Sequence, residues 1–158
     1  NYNQINLLIK NIFDLQQASQ EKAKIVIQNG TIVPGLALKA VNYLDQIGYN
    51  IIRYGNANTQ DKISTIIYDY TNNNPKTKES LEGVFSTKAK NSIPLDYDSA
   101  VVASNWGIRN DDGDLEQIDF LIILGQDQII DEGIEIITTI NPSLLSSSTA
   151  TSTEEITE

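Results

Sequence analysis

The chain of 158 residues contains no cysteine, no histidine and no methionine. Without cysteine it holds no disulfide framework, no thiolate metal site and no cysteine nucleophile. Without histidine it has no serine–histidine triad, no imidazole metal ligand and no histidine acid or base. Chemistry would have to come from carboxylates, lysine, tyrosine, hydroxyl groups or a borrowed cofactor. We predict no catalytic residue and no cofactor.

Positive charge is also scarce. Eleven lysines and arginines stand against 21 aspartates and glutamates, which gives a formal net charge of -10 at pH 7. An acidic surface repels phosphate backbones, so we predict no nucleic-acid partner. The more common role of such a charge is to keep a domain soluble.

Long hydrophobic runs are missing as well. A membrane-spanning helix needs about 20 apolar residues in succession, and the sequence offers none. No leader with a basic and then an apolar part is visible either. We therefore expect no membrane contact from these residues. Because the chain begins at Asn1 and lacks methionine, we interpret it as a processed product or, preferably, as a piece of a longer protein.

Residues 23–58 form the most regular stretch of the chain. Ile25 and Ile27 alternate with more polar neighbours, which predicts a strand with one buried face. Asn29 and Gly30 then interrupt the alternation, and both residue types tolerate positive φ, so they predict a turn.

A helix and a second strand complete this stretch. Pro34 suits a first helical turn, and Gly48 suits a left-handed residue that ends a helix. Residues 49–54 are rich in β-branched and aromatic side chains and predict a strand. The apolar stripe of the helix consists of Ala37, Ala40, Val41, Leu44 and Ile47.

Further elements follow along the chain. Residues 64–70 predict a third strand, and Pro75 opens a helix that extends to Phe85. Residues 88–118 read as irregular, with one short strand at Ala100–Ala103. The apolar residues 119–125 predict a central strand that is covered on both faces.

The two ends of the chain have different compositions. Residues 1–20 predict a helix or linker, which either packs on the domain or ends an upstream domain. Residues 128–140 fit a helix or an edge strand. Residues 141–158 are rich in Ser, Thr and Glu and predict a disordered tail. The domain itself is assigned to residues 21–140.

The order of these elements predicts an α+β fold. Strand–helix–strand–strand–helix–strand is the split βαβ, or ferredoxin-like, arrangement (βαββαβ). We expect a four-stranded sheet with two helices on one face, preceded by the N-terminal helix.

Two groups of residues are candidates for ligand binding. The turn with Asn29, Gly30, Thr31 and Gly35 could present backbone N–H groups to an anion, although a purely structural turn is favoured. Trp106 and the tyrosines at positions 43, 49, 54, 68 and 70 could stack on sugar rings, but such rings more often serve packing. Tyr68 and Tyr70 are the best candidates because they share one face of a strand.

A weak metal signal lies between residues 110 and 116. Asn110, Asp112 and Asp114 alternate as the first ligands of a calcium loop do, and Glu116 could add another oxygen. The twelfth position is Leu121, which cannot ligate, so an acidic surface turn is favoured. Carboxylate pairs such as Asp96 with Asp98 could serve as acid and base, but solvation is their default role.

One family resemblance is specific. The chain resembles the C-terminal domain of LytR-CpsA-Psr cell-envelope proteins over residues 22–127, and it departs from the pattern at 91–118, where it carries extra residues. The matching segments are Asn29-Gly30-Thr31, Val33-Pro34-Gly35-Leu36-Ala37, Leu44 to Gly48-Tyr49, Gly55-Asn56-Ala57 and Leu124-Gly125-Gln126-Asp127.

The resemblance implies a function and a location. In that family the domain follows a separate catalytic domain, which transfers lipid-linked glycopolymers onto peptidoglycan. The arginines and aspartates of that catalytic domain have no counterpart around Arg53 or Arg109. The resemblance thus implies a non-catalytic accessory domain on the extracellular face of a bacterial membrane or in the cell wall, anchored through another part of the parent protein.

The expected partners are a cell-wall glycopolymer or the neighbouring catalytic domain. Two alternatives stay open at this point. One is a small enzyme that uses carboxylates and a metal at 110–116. The other is a purely structural spacer.

Overall fold

The structure is a computed structural model, and it describes residues 2–129. The predictions for 130–140 and for the tail at 141–158 lie outside the described residues. Four α-helices occur within 2–129: Tyr2–Gln20 (α1), Leu36–Gln46 (α2), Pro75–Phe85 (α3) and Ser99–Trp106 (α4). Five strands occur there: Lys24–Asn29 (β1), Asn50–Asn56 (β2), Ile66–Asp69 (β3), Ala89–Lys90 (β4) and Phe120–Leu124 (β5). Short 3-10 helices span Leu95–Tyr97 and Gln126–Gln128.

The strands form one mixed sheet in the order β2-β1-β5-β3-β4. β1 pairs in parallel with both β2 and β5, β3 pairs antiparallel to β5, and β4 pairs in parallel with β3. All five residues of β5 are buried. The prediction of an apolar central strand at 119–125 is therefore confirmed.

Helices cover both faces of the sheet. One face packs against α2, α3 and the C-terminal end of α1, through a core that includes Ile25, Ile27, Leu44, Leu81 and Phe120. The other face packs against α4, through a smaller core with Val26, Val102 and Leu121. Burial on two faces explains why β5 shows no alternation of apolar and polar residues.

The sheet corrects the fold prediction. It has five strands within 2–129 rather than four, and β1 lies directly beside β2. The unit β1–α2–β2 is an adjacent parallel pair, so the split βαβ, or ferredoxin-like, arrangement is wrong. The coarser α+β class and the placement of two helices, α2 and α3, on one face agree with the structure.

The short strand predicted at Ala100–Ala103 is also wrong, because these residues lie in α4. The side chain of Asp98 accepts a hydrogen bond from the N–H of Ala100 at 2.9 Å and caps the helix. Gly107, at φ 61°, ends it in the left-handed conformation. Both signals favour a helix at this point.

The C-terminal end of α1 is attached to α3. The carboxylate of Glu21 accepts hydrogen bonds from the N–H groups of Lys76 and Thr77 at 3.0 and 2.8 Å. The hydroxyl of Thr77 donates to the carbonyl of Ala18 at 3.0 Å. Because the first N–H groups of a helix lack partners within that helix, Glu21 satisfies two of them.

Candidate functional site

The turn after β1 lies where three parallel strands end. β1, β2 and β5 run in the same direction, so Asn29, Asn56 and Leu124 meet at one edge of the sheet. The side-chain oxygen of Asn29 accepts hydrogen bonds from the N–H and the hydroxyl of Thr31, at 3.0 and 2.8 Å. Its amide donates to the carbonyl of Val33 at 2.7 Å. Asn29 and Thr31 therefore use their polar groups within the turn.

The two glycines of this turn have different roles. Gly35 has φ 79° and stands before α2, whose N-terminus has no side-chain cap. Gly30 does not have the positive φ that the sequence indicated. It is required for space, because a Cβ there would lie 2.7 Å from the carbonyl oxygen of Leu124 and 2.5 Å from Cγ of Lys62. The structural role that the sequence favoured for this turn agrees with these contacts.

Tyr68 lies in β3 and Tyr70 directly follows it, and both pack on the same side of the sheet, as expected. Only 5% of Tyr68 is exposed. Its ring stacks on that of Tyr97, with centroids 5.7 Å apart and planes inclined by 26°. The hydroxyl of Tyr70 donates to the carbonyl of Tyr97 at 2.6 Å. Tyr68 is thus buried, whereas Tyr70 is half-buried.

Tyr70 gives a pH prediction. Burial raises the pKa of Tyr70, and the nearby charge of Asp98 raises it further. A tyrosine with a raised folded-state pKa contributes stability below its unfolded pKa of about 10, and that contribution is lost as the pH rises above it. We expect Tyr70→Phe to lose about 1 kcal/mol of unfolding free energy at pH 7, because the bond to Tyr97 disappears. Between pH 10 and 11 the variant should lose less further stability than the wild type.

Urea unfolding at pH 7, 10 and 11 checks this prediction. Burial also raises the pKa of Tyr43, Tyr49 and Tyr68. The loss of unfolding free energy between pH 10 and 11 should therefore be smaller in the variant than in the wild type, but not zero. An equal loss of unfolding free energy between pH 10 and 11 in the two proteins would contradict this prediction.

Two of the four candidate metal ligands at 110–116, Asn110 and Glu116, already have hydrogen-bond partners. The side-chain oxygen of Asn110 accepts from the N–H groups of Asp112 and Asp114, at 3.1 and 2.9 Å. Glu116 receives Nζ of Lys24 at 2.6 Å, and this hydrogen bond lowers the pKa of its carboxyl. Residues 2–129 contain no group of three or more acidic side chains placed to hold a metal ion.

An open groove lies along β2, the strand at one border of the sheet. Its volume is about 600 Å³. Four of its lining residues carry an aromatic ring, an amide or a charge: Arg53, Tyr54, Asn56 and Trp106. Val41, Ile51 and Ile52 form the rest of the lining. We call this surface the β2 groove.

A bulge in β2 gives the groove its shape. Ile25 pairs with Ile51 and Val26 pairs with Arg53, so Ile52 is an extra residue without a partner. A bulge of this kind bends an edge strand and re-aims its side chains. Paired residues of neighbouring strands point to the same face of a sheet, so Arg53 points to the α4 side with Val26.

Trp106 closes the groove on the α4 side. Its indole lies against Gly55, where an added Cβ would come within 3.1 Å of Cη2. Tyr54 pairs with Ile27, so its ring lies on the α2 side of β2, where it lines the groove and is 47% exposed. The sequence-based prediction included both rings among the candidates for stacking on sugars but favoured Tyr68 and Tyr70 over them. The missing signal was Gly55, whose lack of a side chain makes room for the indole.

None of the helices in the described part of the chain is both long and apolar enough to cross a membrane.

No curated protein matches this chain, and no solved structure matches it. The family model described as LytR cell envelope-related transcriptional attenuator matches residues 22–127, the same range as the resemblance seen in the sequence. The chain therefore belongs to the LytR C-terminal domain family of cell-envelope proteins.

Proposed function

We propose that this chain is a non-catalytic accessory domain that binds a segment of an envelope glycopolymer in the β2 groove. The observation that carries the proposal is that two rings line the groove, one on each side of β2: the indole of Trp106 against Gly55 and the exposed ring of Tyr54. Membership in a cell-envelope family supports a ligand of this class. The proposal places the domain on the extracellular face of the bacterial membrane or in the cell wall.

Sugar rings and aromatic rings are complementary in a physical sense. A pyranose has an apolar C–H face, which gains contact and loses water when it stacks on an indole or phenol. The groove volume of about 600 Å³ lies inside the range of roughly 300–1,000 Å³ typical of ligand sites. The groove is open along the sheet border, so a polymer can enter it sideways and continue beyond it.

The composition of the groove favours binding over catalysis. Its polar lining residues are Arg53, Tyr54 and Asn56, together with the indole N–H of Trp106. No carboxylate of residues 2–129 lines it, so this part of the chain offers no acid–base pair there of the kind that glycoside chemistry uses.

Positioning of a neighbouring domain is a second candidate. Helix α1 is fixed to α3 at its C-terminal end, and three apolar side chains are exposed at intervals of four residues: Ile5, Ile9 and Phe13. Such spacing places them on one face of the helix. This face could contact another part of the parent protein without any role for the β2 groove.

Titration of the chain with purified envelope glycopolymer, followed by Trp106 fluorescence, tests the proposal. We expect a saturable change for the wild type and about tenfold weaker binding for Tyr54→Ala, since loss of one stacking ring costs on the order of 1.4 kcal/mol. Phe13→Ala is the matched control, because Phe13 is an exposed ring on α1, 58% accessible, outside the groove. It should bind like the wild type.

Two results would count against glycopolymer binding. The first is a wild-type fluorescence that stays constant up to saturating polymer, together with no retention of the domain on immobilised polymer. The second is equal loss of binding in Tyr54→Ala and Phe13→Ala. Either would leave the positioning role as the better account.

A further inference from the structure

We propose that the β2 groove selects acidic sugars, in which a phosphodiester or carboxylate is attached to a sugar ring. Arg53 would hold the anion while Trp106 stacks on the ring. This inference rests on the proposed function and specifies the chemistry of its ligand.

The charge distribution is the first argument. The chain carries a formal net charge of -10, yet among the described residues Arg53 is the one charged side chain that lines the β2 groove. Elsewhere Lys24 pairs with Glu116 and Lys78 pairs with Asp69. Within residues 2–129, Arg53 is exposed and its guanidinium has neither an ion pair nor a hydrogen bond. Its donors are therefore available to a ligand.

The chemistry of arginine is the second argument. A guanidinium presents planar, paired N–H donors that match two oxygens of a carboxylate or a phosphate. It is less strongly hydrated than a lysine ammonium, so it gives up its water more readily. A neutral glycan would contact the rings of the groove but would leave the N–H donors of the Arg53 guanidinium without an anionic acceptor.

The spacing within β2 is the third argument. Arg53 and Gly55 stand two residues apart on the same strand, a separation of about 6.5 Å. The indole of Trp106 lies against Gly55, so the indole and the side chain of Arg53 lie at neighbouring positions on one face of β2. A sugar stacked on the indole can reach Arg53 with a substituent. Asn56 also lines the groove and offers an amide to sugar hydroxyl groups.

An extended peptide that adds a strand to β2 is the competing occupant. Strand addition needs a regular row of backbone groups along the free border. The bulge at Ile52 disrupts that row, and bulges are one way in which proteins block such pairing. The bulge thus disfavours a peptide strand as the ligand, and a sugar ligand is the better fit.

Three trisaccharides of glucose test the inference on the full chain: one neutral, one with a single phosphodiester and one with a single glucuronic acid. Affinities are measured by calorimetry at 20 mM and 500 mM NaCl. We expect the acidic ligands to bind about three- to tenfold more tightly than the neutral one at low salt. The preference should nearly disappear at high salt, because an exposed ion pair is screened. The two acidic arms separate phosphate from carboxylate recognition.

Two variants test whether Arg53 causes the preference for acidic over neutral ligands. Arg53→Gln should bind all three ligands as weakly as the wild type binds the neutral one. Lys90→Gln is the control, because it removes one positive charge from β4, an exposed position at the opposite border of the sheet. It should keep the wild-type preference.

Each outcome decides a different statement. A wild type that binds all three sugars equally, or an Arg53→Gln variant that keeps the preference, would overturn the inference and leave the proposed function standing. Failure of all three ligands and of the whole polymer would remove both. Protection of the amides of residues 50–56 from exchange by an extended peptide, without sugar binding, would replace the sugar ligand with a peptide strand.

Discussion

Replacement of Gly125 by alanine is expected to destabilise the protein by about 3 kcal/mol, at the upper end of the cost of overpacking. A Cβ at this position would lie 2.3 Å from the carbonyl carbon of Ser64 and 2.7 Å from both its Cα and the nitrogen of Thr65. All three atoms belong to the backbone, so no side-chain rotation can relieve the contact.

The cause is spatial and not conformational. Gly125 has φ -105° and ψ -178°, values that alanine adopts without strain. Its N–H also donates to the hydroxyl of Thr65 at 3.0 Å, and a shift of either chain would lengthen that bond. The segment that enters β3 therefore has to pass directly over the end of β5.

Gly83→Ala is the matched control for this variant. Gly83 lies in α3, and nothing is within 4 Å of an added Cβ there. Alanine is favoured over glycine inside a helix, so we expect this variant to be more stable by up to about 1 kcal/mol. Chemical denaturation of the three proteins gives both values. A Gly125→Ala variant as stable as Gly83→Ala would contradict the close approach of the two segments.

Asp127→Ala is expected to be the second most damaging change, with a loss of about 2–3 kcal/mol. Both carboxylate oxygens accept the N–H of Thr65, at 3.0 and 2.9 Å, and one of them also accepts its hydroxyl at 2.7 Å. Thr65 is only 3% exposed. Without the carboxylate its N–H would remain buried without a partner, and such a group is costly.

These bonds form a relay at the end of the sheet. The N–H of Gly125 donates to the hydroxyl of Thr65, which in turn donates to Asp127. The relay links the last residues of β5 to the start of β3. Groups in one such network depend on each other, so the combined effect of Asp127→Ala and Thr65→Ala should be smaller than the sum of the two single effects.

Asp127→Asn and Asp61→Ala serve as comparisons. An asparagine side chain at position 127 would keep one acceptor and the shape of the aspartate, so its loss should be about half that of the alanine variant. Asp61 is an exposed aspartate of the same edge that meets Lys62 at 3.5 Å, and its removal should have only a small effect, because exposed ion pairs contribute little to stability. Equal losses for Asp61→Ala and Asp127→Ala would contradict the role of the relay.

Regular periodicity made most of the fold predictable. The strands around Ile27 and Ile122, and the helices that begin at Leu36 and Pro75, all lie where the sequence placed them. In β1 and the two helices one buried face imposes a repeat that is visible over several residues. The N-terminal helix was predictable for the same reason. β5 was recognisable instead by its unbroken apolar run, because both of its faces are buried.

Short and irregular elements were not predictable. β4 has two residues, Ala89 and Lys90, too few for any period to appear. The helix α4 contains mostly Ala, Val and Ser without a clear polar face, so its residues fit a strand as well. The order of the strands depends on contacts between distant parts of the chain, and local patterns carry no information about those contacts.

The candidate site was also predictable from the sequence only in part. The turn at 29–35 was visible, because asparagine and glycine mark a turn wherever they occur. The β2 groove was not visible as a unit, since it joins Tyr54 on a strand to Trp106 on a distant helix. The bulge at Ile52, which aims Arg53 toward that helix, has no signature in the sequence.

Glycopolymer binding in the β2 groove is tested most directly by amide and indole NMR shifts of the full chain during titration with purified envelope glycopolymer. The account predicts that the largest shifts occur at residues 53–56 and at the indole N–H of Trp106. Shifts confined to the 29–35 turn or to Tyr68, Tyr70 and Tyr97, or no shifts at saturating polymer, would contradict it.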